Sequence, residues 1–270
     1  MVGVFYRFVI SCSILFILNF FLNRTLKYRK ENHLIFFFQG VFNFSLNYIL
    51  TYTAEIYTTS AVIALVYTTL VHFNILGTKV FFKKKIHLNV IFGSMLGMLG
   101  VFFLFYEDVH QLTTDPTSLI GVGIGLIAVL CASAGNLLSY KNYLMNVPVM
   151  AANAWGMFYG MAFTGVACLV FSETFIIPTH LSFWTALIYL SIFGTVIAFG
   201  AYNYLVGKIG AEKAAYTTLF SPMIAILLSS FFENLKVTPF LLLGITFCLL
   251  GNGLTLFYSG SSAKTAEPPP

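Results

Sequence analysis

Charge is what this chain has least of. Only 9% of its 270 residues are charged while 59% are hydrophobic, against about 25% charged in a soluble globular domain. So little charge cannot cover a water-facing surface, which excludes a soluble enzyme or a soluble binding module and leaves an all-α polytopic membrane protein. Cysteine is sparse as well. Cys12, Cys131, Cys168 and Cys248 fall inside apolar stretches without metal-type spacing, so they read as core thiols rather than a disulfide frame or a zinc site. Also missing are a carboxylate near the middle of any apolar stretch and a serine or cysteine matched with a base. These absences argue against an intramembrane enzyme, and no metal or cofactor is expected. The run GVGIG at 121–125 has neither the preceding strand nor the following Lys-Ser/Thr of a phosphate loop. The net charge of +5 sits in short loops, where membrane orientation accounts for it without nucleic acid.

What is present is apolar length. With a mean hydropathy of +0.88, the chain reads as nine spans, each near the ~20 residues that cross a bilayer core. They cover 2–22, 34–52, 57–81, 88–106, 118–140, 150–171, 183–207, 213–232 and 237–258. The first is a true helix rather than a cleaved leader, because Arg24, Lys27, Arg29 and Lys30 follow its apolar core instead of preceding it. After Tyr258 the tail SGSSAKTAEPPP is polar and proline-ended, and is expected to be disordered.

Loop charge then orients the chain. Arg24, Lys27, Arg29, Lys30, Lys79, Lys83, Lys84, Lys85, Lys141, Lys208, Lys213 and Lys264 fall on one side, which is 12 of the 14 basic residues; Arg7 and Lys236 fall on the other. The positive-inside rule makes the first side cytoplasmic, with the C-terminus inside and residue 1 external in a cytoplasmic (inner) membrane.

The chain also repeats itself. Tyr67, Thr68, Thr69 and Leu70 recur as Tyr216, Thr217, Thr218 and Leu219, and Gly93, Gly97 and Gly100 correspond to Gly244, Cys248 and Gly251 at a separation of 151. The cytoplasmic junction at Lys83 to Lys85 matches an external one at Glu233 and Lys236, so the copies face opposite ways. This divides the chain into a first repeat at 1–106, an external linker at 107–117, a second repeat at 118–258 and the tail at 259–270. The first repeat has four helices and the second five, so an inverted repeat of five plus five is expected, with the first helix lacking a counterpart here. The two glycine-striped helices are expected to pack on each other or on a second subunit as a homodimer.

Several of these features together resemble the drug/metabolite transporter superfamily, in its EamA-type members. They are the turn with Lys208, Gly210, Ala211 and Ala214, then Pro222 in mid-helix, Glu233 after it, and Gly244 to Gly251 in the last helix. In the first half, Arg7 near the head of a helix and the run from Thr59 to Phe105 add to the likeness. His72 stands where a first-half proline is usual in that family, and Lys83 where a glutamate is. The resemblance implies a secondary transporter with a cavity near the bilayer midplane, and export rather than uptake.

Amides, hydroxyls and one imidazole are the polar groups at depth. Gln39, Asn43 and Asn47 share a face at four-residue spacing, and Asn136, Asn153, Tyr202, Asn203, Tyr216 and Thr218 lie in later spans. Gln39, Asn43, Asn136, Asn153, Tyr202, Tyr216 and Thr218 are candidate substrate-binding residues, with Trp155 and Tyr159 as an aromatic wall, His72 as a titratable group and Pro222 as a hinge. The expected ligand is a small polar metabolite such as an amino acid or related organic solute, held in the lipid bilayer by an otherwise apolar bundle. A non-transporting assembly or sensor protein using the same bundle is the alternative reading. For the topology, a fluorescent protein fused after residue 258 is expected to fluoresce, and alkaline phosphatase fused there to be inactive; the reverse pattern would overturn the charge-based orientation.

Overall fold

Lipid supplies no hydrogen bonds, so an apolar backbone satisfies itself locally, as helix. The computed structural model describes residues 1–84, 88–104, 106, 117–175, 180–218 and 239–259, and no strand occurs among them. The helices are α1 Val2–Phe21, α2 Lys30–Gln39, α3 Asn47–Tyr57, α4 Ser60–Tyr67, α5 Leu70–Phe82, α6 Leu88–Leu104, α7 Ser118–Leu144, α8 Val149–Val170, α9 Leu181–Ser191, α10 Ala198–Ile209, α11 Ala211–Ala214 and α12 Pro239–Ser259. Two π-helical segments bridge pairs of them: π1, Gly40–Leu46, joins α2 to α3, and π2, Ile192–Ile197, joins α9 to α10. Among the described residues six helical stretches are long and apolar enough to span a bilayer, at Val2–Phe21, Lys30–Tyr57, Val62–Phe82, Ser118–Leu144, Val149–Val170 and Leu181–Ile209. Leu88–Leu104 and Leu242–Gly251 are shorter apolar helices. Most of the eighth expected span, with Pro222 in it, lies outside the described residues, as do Glu233 and Lys236.

Three expected spans are longer than the hydropathy pattern suggests: 34–52 extends to Lys30–Tyr57, 118–140 to Ser118–Leu144 and 183–207 to Leu181–Ile209. Polar and aromatic residues at the ends of these helices continue the backbone hydrogen bonding beyond the apolar stretch. The third span is interrupted instead. Between α4 and α5, Thr68 and Thr69 turn their hydroxyls onto the carbonyls of Leu65 (2.7 Å) and Val66 (2.6 Å), and a turn replaces the helix there. The matching Thr217 and Thr218 do the same to Ala214 (2.8 Å) and Ala215 (2.6 Å). Both copies of the Tyr-Thr-Thr-Leu motif therefore use the same three-residue back-bond, which loosens a helix by offering its carbonyls a local alternative partner.

The chain forms two compact units that do not follow the sequence halves. One contains 1–52 and 130–211, the other 53–129 and 212–270, so each draws helices from both expected repeats. In the first unit α1 packs along α8, and π1 crosses α8 at glycine. A Cβ on Gly40 would stand 2.3 Å from the Gly156 carbonyl oxygen, and one on Gly160 2.8 Å from that of Gly40, so only hydrogen fits at this crossing. Ser45 and Thr164 share a hydrogen bond of 2.6 Å beside it. Val4, Phe8, Cys12, Leu15, Phe44, Ala154 and Met157 form one apolar core cluster of the unit, and Phe36, Val147 and Ala152 form another.

In the second unit α6 and α12 lie against each other through the glycine stripes. A Cβ on Gly251 would come within 2.5 Å of the Gly93 carbonyl oxygen, and one on Gly100 within 2.6 Å of the Cys248 amide nitrogen. The Cys248 thiol donates to the Gly97 carbonyl at 3.6 Å. The glycines expected to serve either this contact or a second subunit thus serve this contact. Gly251→Ala is expected to lower the unfolding temperature of the detergent-solubilised protein, by a cost of roughly 1–3 kcal/mol for overpacking. Gly253→Ala, where a Cβ meets no described residue within 4 Å, should leave it unchanged.

Candidate functional site

A chain of side-chain amides runs through the first unit. Gln39 at the end of α2 is fully buried and accepts a 2.7 Å hydrogen bond from Asn142 Nδ2 on α7. One turn on, Asn43 in π1 lies against Gly135 of α7, where a Cβ would stand 2.4 Å from its own. The neighbouring Asn136 donates through Nδ2 to the Tyr202 hydroxyl of α10 at 3.0 Å. Next to Tyr202, Asn203 donates to Asn153 Oδ1 of α8 at 2.7 Å, and Asn153 Nδ2 reaches the Phe199 carbonyl at 3.4 Å. All five asparagines are buried.

Four polar atoms of this chain find no partner among the described residues: Gln39 Nε2, Asn43 Nδ2, Asn142 Oδ1 and Asn203 Oδ1. A buried polar group left unpaired costs about 1–3 kcal/mol, so four of them are expensive unless something polar binds there. Two are donors and two are acceptors, and none is charged. That set suits a small solute bearing both kinds of hydrogen-bonding group. The π1 segment contributes directly, because its wider turn sets Asn43 in the close approach to Gly135; π-helical turns recur at functional positions in helices.

Arg7, which the charge tally sets on the external side, lies within α1 and is only 8% exposed. Its Nε donates to Thr195 Oγ1 at 2.7 Å and its Nη2 to the Gly194 carbonyl at 3.0 Å, both in π2. The guanidinium also stands 5.1 Å from the centroid of the Tyr48 ring. No carboxylate among the described residues lies within ion-pair distance of it. The guanidinium thus ties α1 to π2 through the Thr195 hydroxyl and the Gly194 carbonyl.

Not every candidate joins the amide chain. Trp155 and Tyr159 enclose His33, with the Trp155 ring 4.6 Å from the imidazole and the Tyr159 hydroxyl 3.0 Å from its Nδ1. Trp155 Nε1 is taken by the Leu26 carbonyl at 3.2 Å. His72, Tyr216 and Thr218 belong to the second unit. There His72 Nε2 meets Ser94 Oγ at 3.2 Å, and the buried Tyr216 donates its hydroxyl to the Val90 carbonyl. Pro222 lies outside the described residues.

Asn142 was missed because it sits past the expected end of its span at 140, although its spacing of six residues from Asn136 was visible. Glu212 was also missed. It looks like a loop acid, yet it is 2% exposed, accepts from Thr78 Oγ1 at 3.3 Å and pairs with Lys84. No group of His, Cys, Asp and Glu among the described residues is arranged to hold a metal.

The model of the EamA-like transporter family matches residues 2–106 and 119–257. The "Uncharacterized transporter YoaV" of Bacillus subtilis is 25% identical over 258 residues, 93% of this chain and 85% of its own length. The "Uncharacterized inner membrane transporter YedA" of Escherichia coli K12 is 25% identical over 185 residues, 59% of this chain and 60% of its own. A protein crystal structure superposes with a TM-score of 0.81 at 14% identity, over 96% of this chain and 88% of that one, which shows a shared fold. Within the amide chain, Asn153→Leu and Asn203→Leu should each destabilise the protein, and the double variant by less than their sum. The coupling expected from unfolding measurements is roughly 0.6–1.7 kcal/mol; strict additivity would show that the bond contributes nothing.

Proposed function

The chain belongs to the EamA-like transporter family, a family of membrane transporters, and on that footing we propose that it moves a small polar metabolite, an amino acid or related organic solute, by alternating access. The observation that carries the reading is the set of four unpartnered, buried amide atoms on Gln39, Asn43, Asn142 and Asn203. A neutral cluster with equal numbers of donors and acceptors favours a neutral or zwitterionic solute over a strongly charged one, since nothing in the cluster would offset a net charge in a low-dielectric interior. Asn136 and Tyr202 then hold the geometry of the neighbouring helices through the bond between them, and Asn153 does so through its bond with Asn203.

Export from the cytoplasm, with the C-terminus inside, is the direction we assign. The Arg7 clamp on π2 keeps that π-helical turn from unwinding.

The test is solute counterflow in proteoliposomes, using a panel of labelled neutral amino acids and related solutes. At least one solute is expected to exchange through the wild-type protein. Gln39→Leu and Asn142→Leu should each weaken it about tenfold, the equivalent of roughly 1.4 kcal/mol for a lost hydrogen bond. Ser13→Ala, which removes an exposed hydroxyl bonded to its own helix, should not. Exchange equal to that of empty liposomes, or folded variants that transport as well as wild type, would contradict the proposal.

A further inference from the structure

At the basic end of the first unit, a groove of about 520 Å³ opens where α1, α7, α8 and α10 come together, lined among others by Arg24, Tyr143, Asn146, Val149, Met150 and Tyr204. Val149 and Met150, with Val147 and Pro148 beside them, supply an apolar surface; Arg24, Asn146 and the two tyrosines supply the polar one. Lys208 adds a second cation, its Nζ 5.6 Å from the centroid of the Tyr204 ring. The position of Tyr143 is built into the backbone. Its ring lies so close to Gly207 of α10 that a Cβ there would be 2.3 Å from Cδ2.

The charge around this groove is one-sided. Arg24, Lys27, Arg29, Lys30, Lys141 and Lys208 gather at this end of the unit, against Glu31 as its acid. Neither Arg24 nor Lys208 is paired with a carboxylate among the described residues. A ligand that answers all of this carries an anionic phosphate next to hydrocarbon. Free phosphate would leave the apolar surface unused, and a neutral solute would leave both cations unanswered.

We propose that the groove binds the headgroup of an anionic phospholipid. Arg24 and Lys208 take the phosphodiester, Tyr143 and Tyr204 sit at the level of the glycerol, and Val149 and Met150 meet the first methylenes of the acyl chains. Tyrosine favours that depth because its ring is apolar and its hydroxyl wet, and basic pockets between transmembrane helices hold anionic headgroups by the same combination of charge and burial. The site is separate from the amide chain and does not depend on what that chain transports.

The experiment is native mass spectrometry with parallel thermal unfolding, on the full-length protein in neutral detergent. The probes are phosphatidylglycerol, phosphatidylcholine and inorganic phosphate. Phosphatidylglycerol is expected to stay bound and to raise the unfolding temperature more than phosphatidylcholine, and inorganic phosphate to do neither. Arg24→Gln and Lys208→Gln should each weaken phosphatidylglycerol about fivefold, as expected for one cation near the headgroup, and the double variant more. Lys141→Gln removes the same charge two residues from Tyr143, about 200° around α7, and should keep wild-type binding. The single variants keep the test open if the double variant does not fold. Equal binding of the two lipids, an equal loss in Lys141→Gln, or inorganic phosphate competing as well as the lipid would overturn the proposal; the last would mark a free phosphoryl site.

Discussion

A polar atom buried in a bilayer has only the protein to bond with, and the first compact unit is organised by that constraint. Its helices bring five asparagines, a glutamine and a tyrosine into buried pairs and close approaches, where each donor that is satisfied is satisfied by a side chain or carbonyl of another helix or turn. Apolar packing alone would hold these helices only weakly apart from lipid, because hydrocarbon is as good a neighbour as leucine. Close glycine crossings add contact area and the amides add direction. The same constraint explains Arg7, whose guanidinium lies over Tyr48 and on π2 rather than in water.

The two units meet the constraint differently. The first relies on amides and on two π-helical segments, each of which displaces helix carbonyls from their usual partners. The second relies on the backbone contact of α6 with α12, on hydroxyl back-bonds at both Tyr-Thr-Thr-Leu motifs, and on the Lys84–Glu212 pair. Glu212, buried and bonded to the half-exposed Lys84 and to the Thr78 hydroxyl, serves the second unit as a fixed polar anchor within α11. Transport of the kind proposed asks for neutral hydrogen-bonding groups that can exchange partners, and the buried amides of the first unit are groups of that type.

Much of this was legible in the sequence, and the reasons are particular. Apolar length alone places the spans, since about 20 residues are needed to cross, and the 151-residue correspondence of Gly93, Gly97 and Gly100 with Gly244, Cys248 and Gly251 foretells the helix pair. Gln39, Asn43, Asn136 and Asn153 stood out because amides are costly in lipid, and all four are buried. The rest was hidden for physical reasons. Nothing in the residues 40–46 or 192–197 announces a π turn, so the close approach of Asn43 to Gly135 and the role of Arg7 could not be read. Loop charge is counted by position along the chain, which hides an arginine that folds inward and a glutamate buried at a helix junction. Trp155 and Tyr159 were visible as aromatics at helical spacing, but their partner His33 lies more than a hundred residues away. The interleaving of sequence halves into two units depends on long-range packing, and repeat spacing carries no trace of it.

The most direct measurement is accessibility of the amide chain itself. Asn43→Cys and Asn142→Cys are placed in protein reconstituted into sealed vesicles, with Asn146→Cys as an exposed reference, and labelled with a membrane-impermeant maleimide. The account predicts slow but measurable labelling at 43 and 142, suppressed by the solute that exchanges through the protein, with no suppression at 146. No labelling at 43 or 142 in actively exchanging vesicles, or labelling indifferent to solute, would contradict a polar binding site in the first unit.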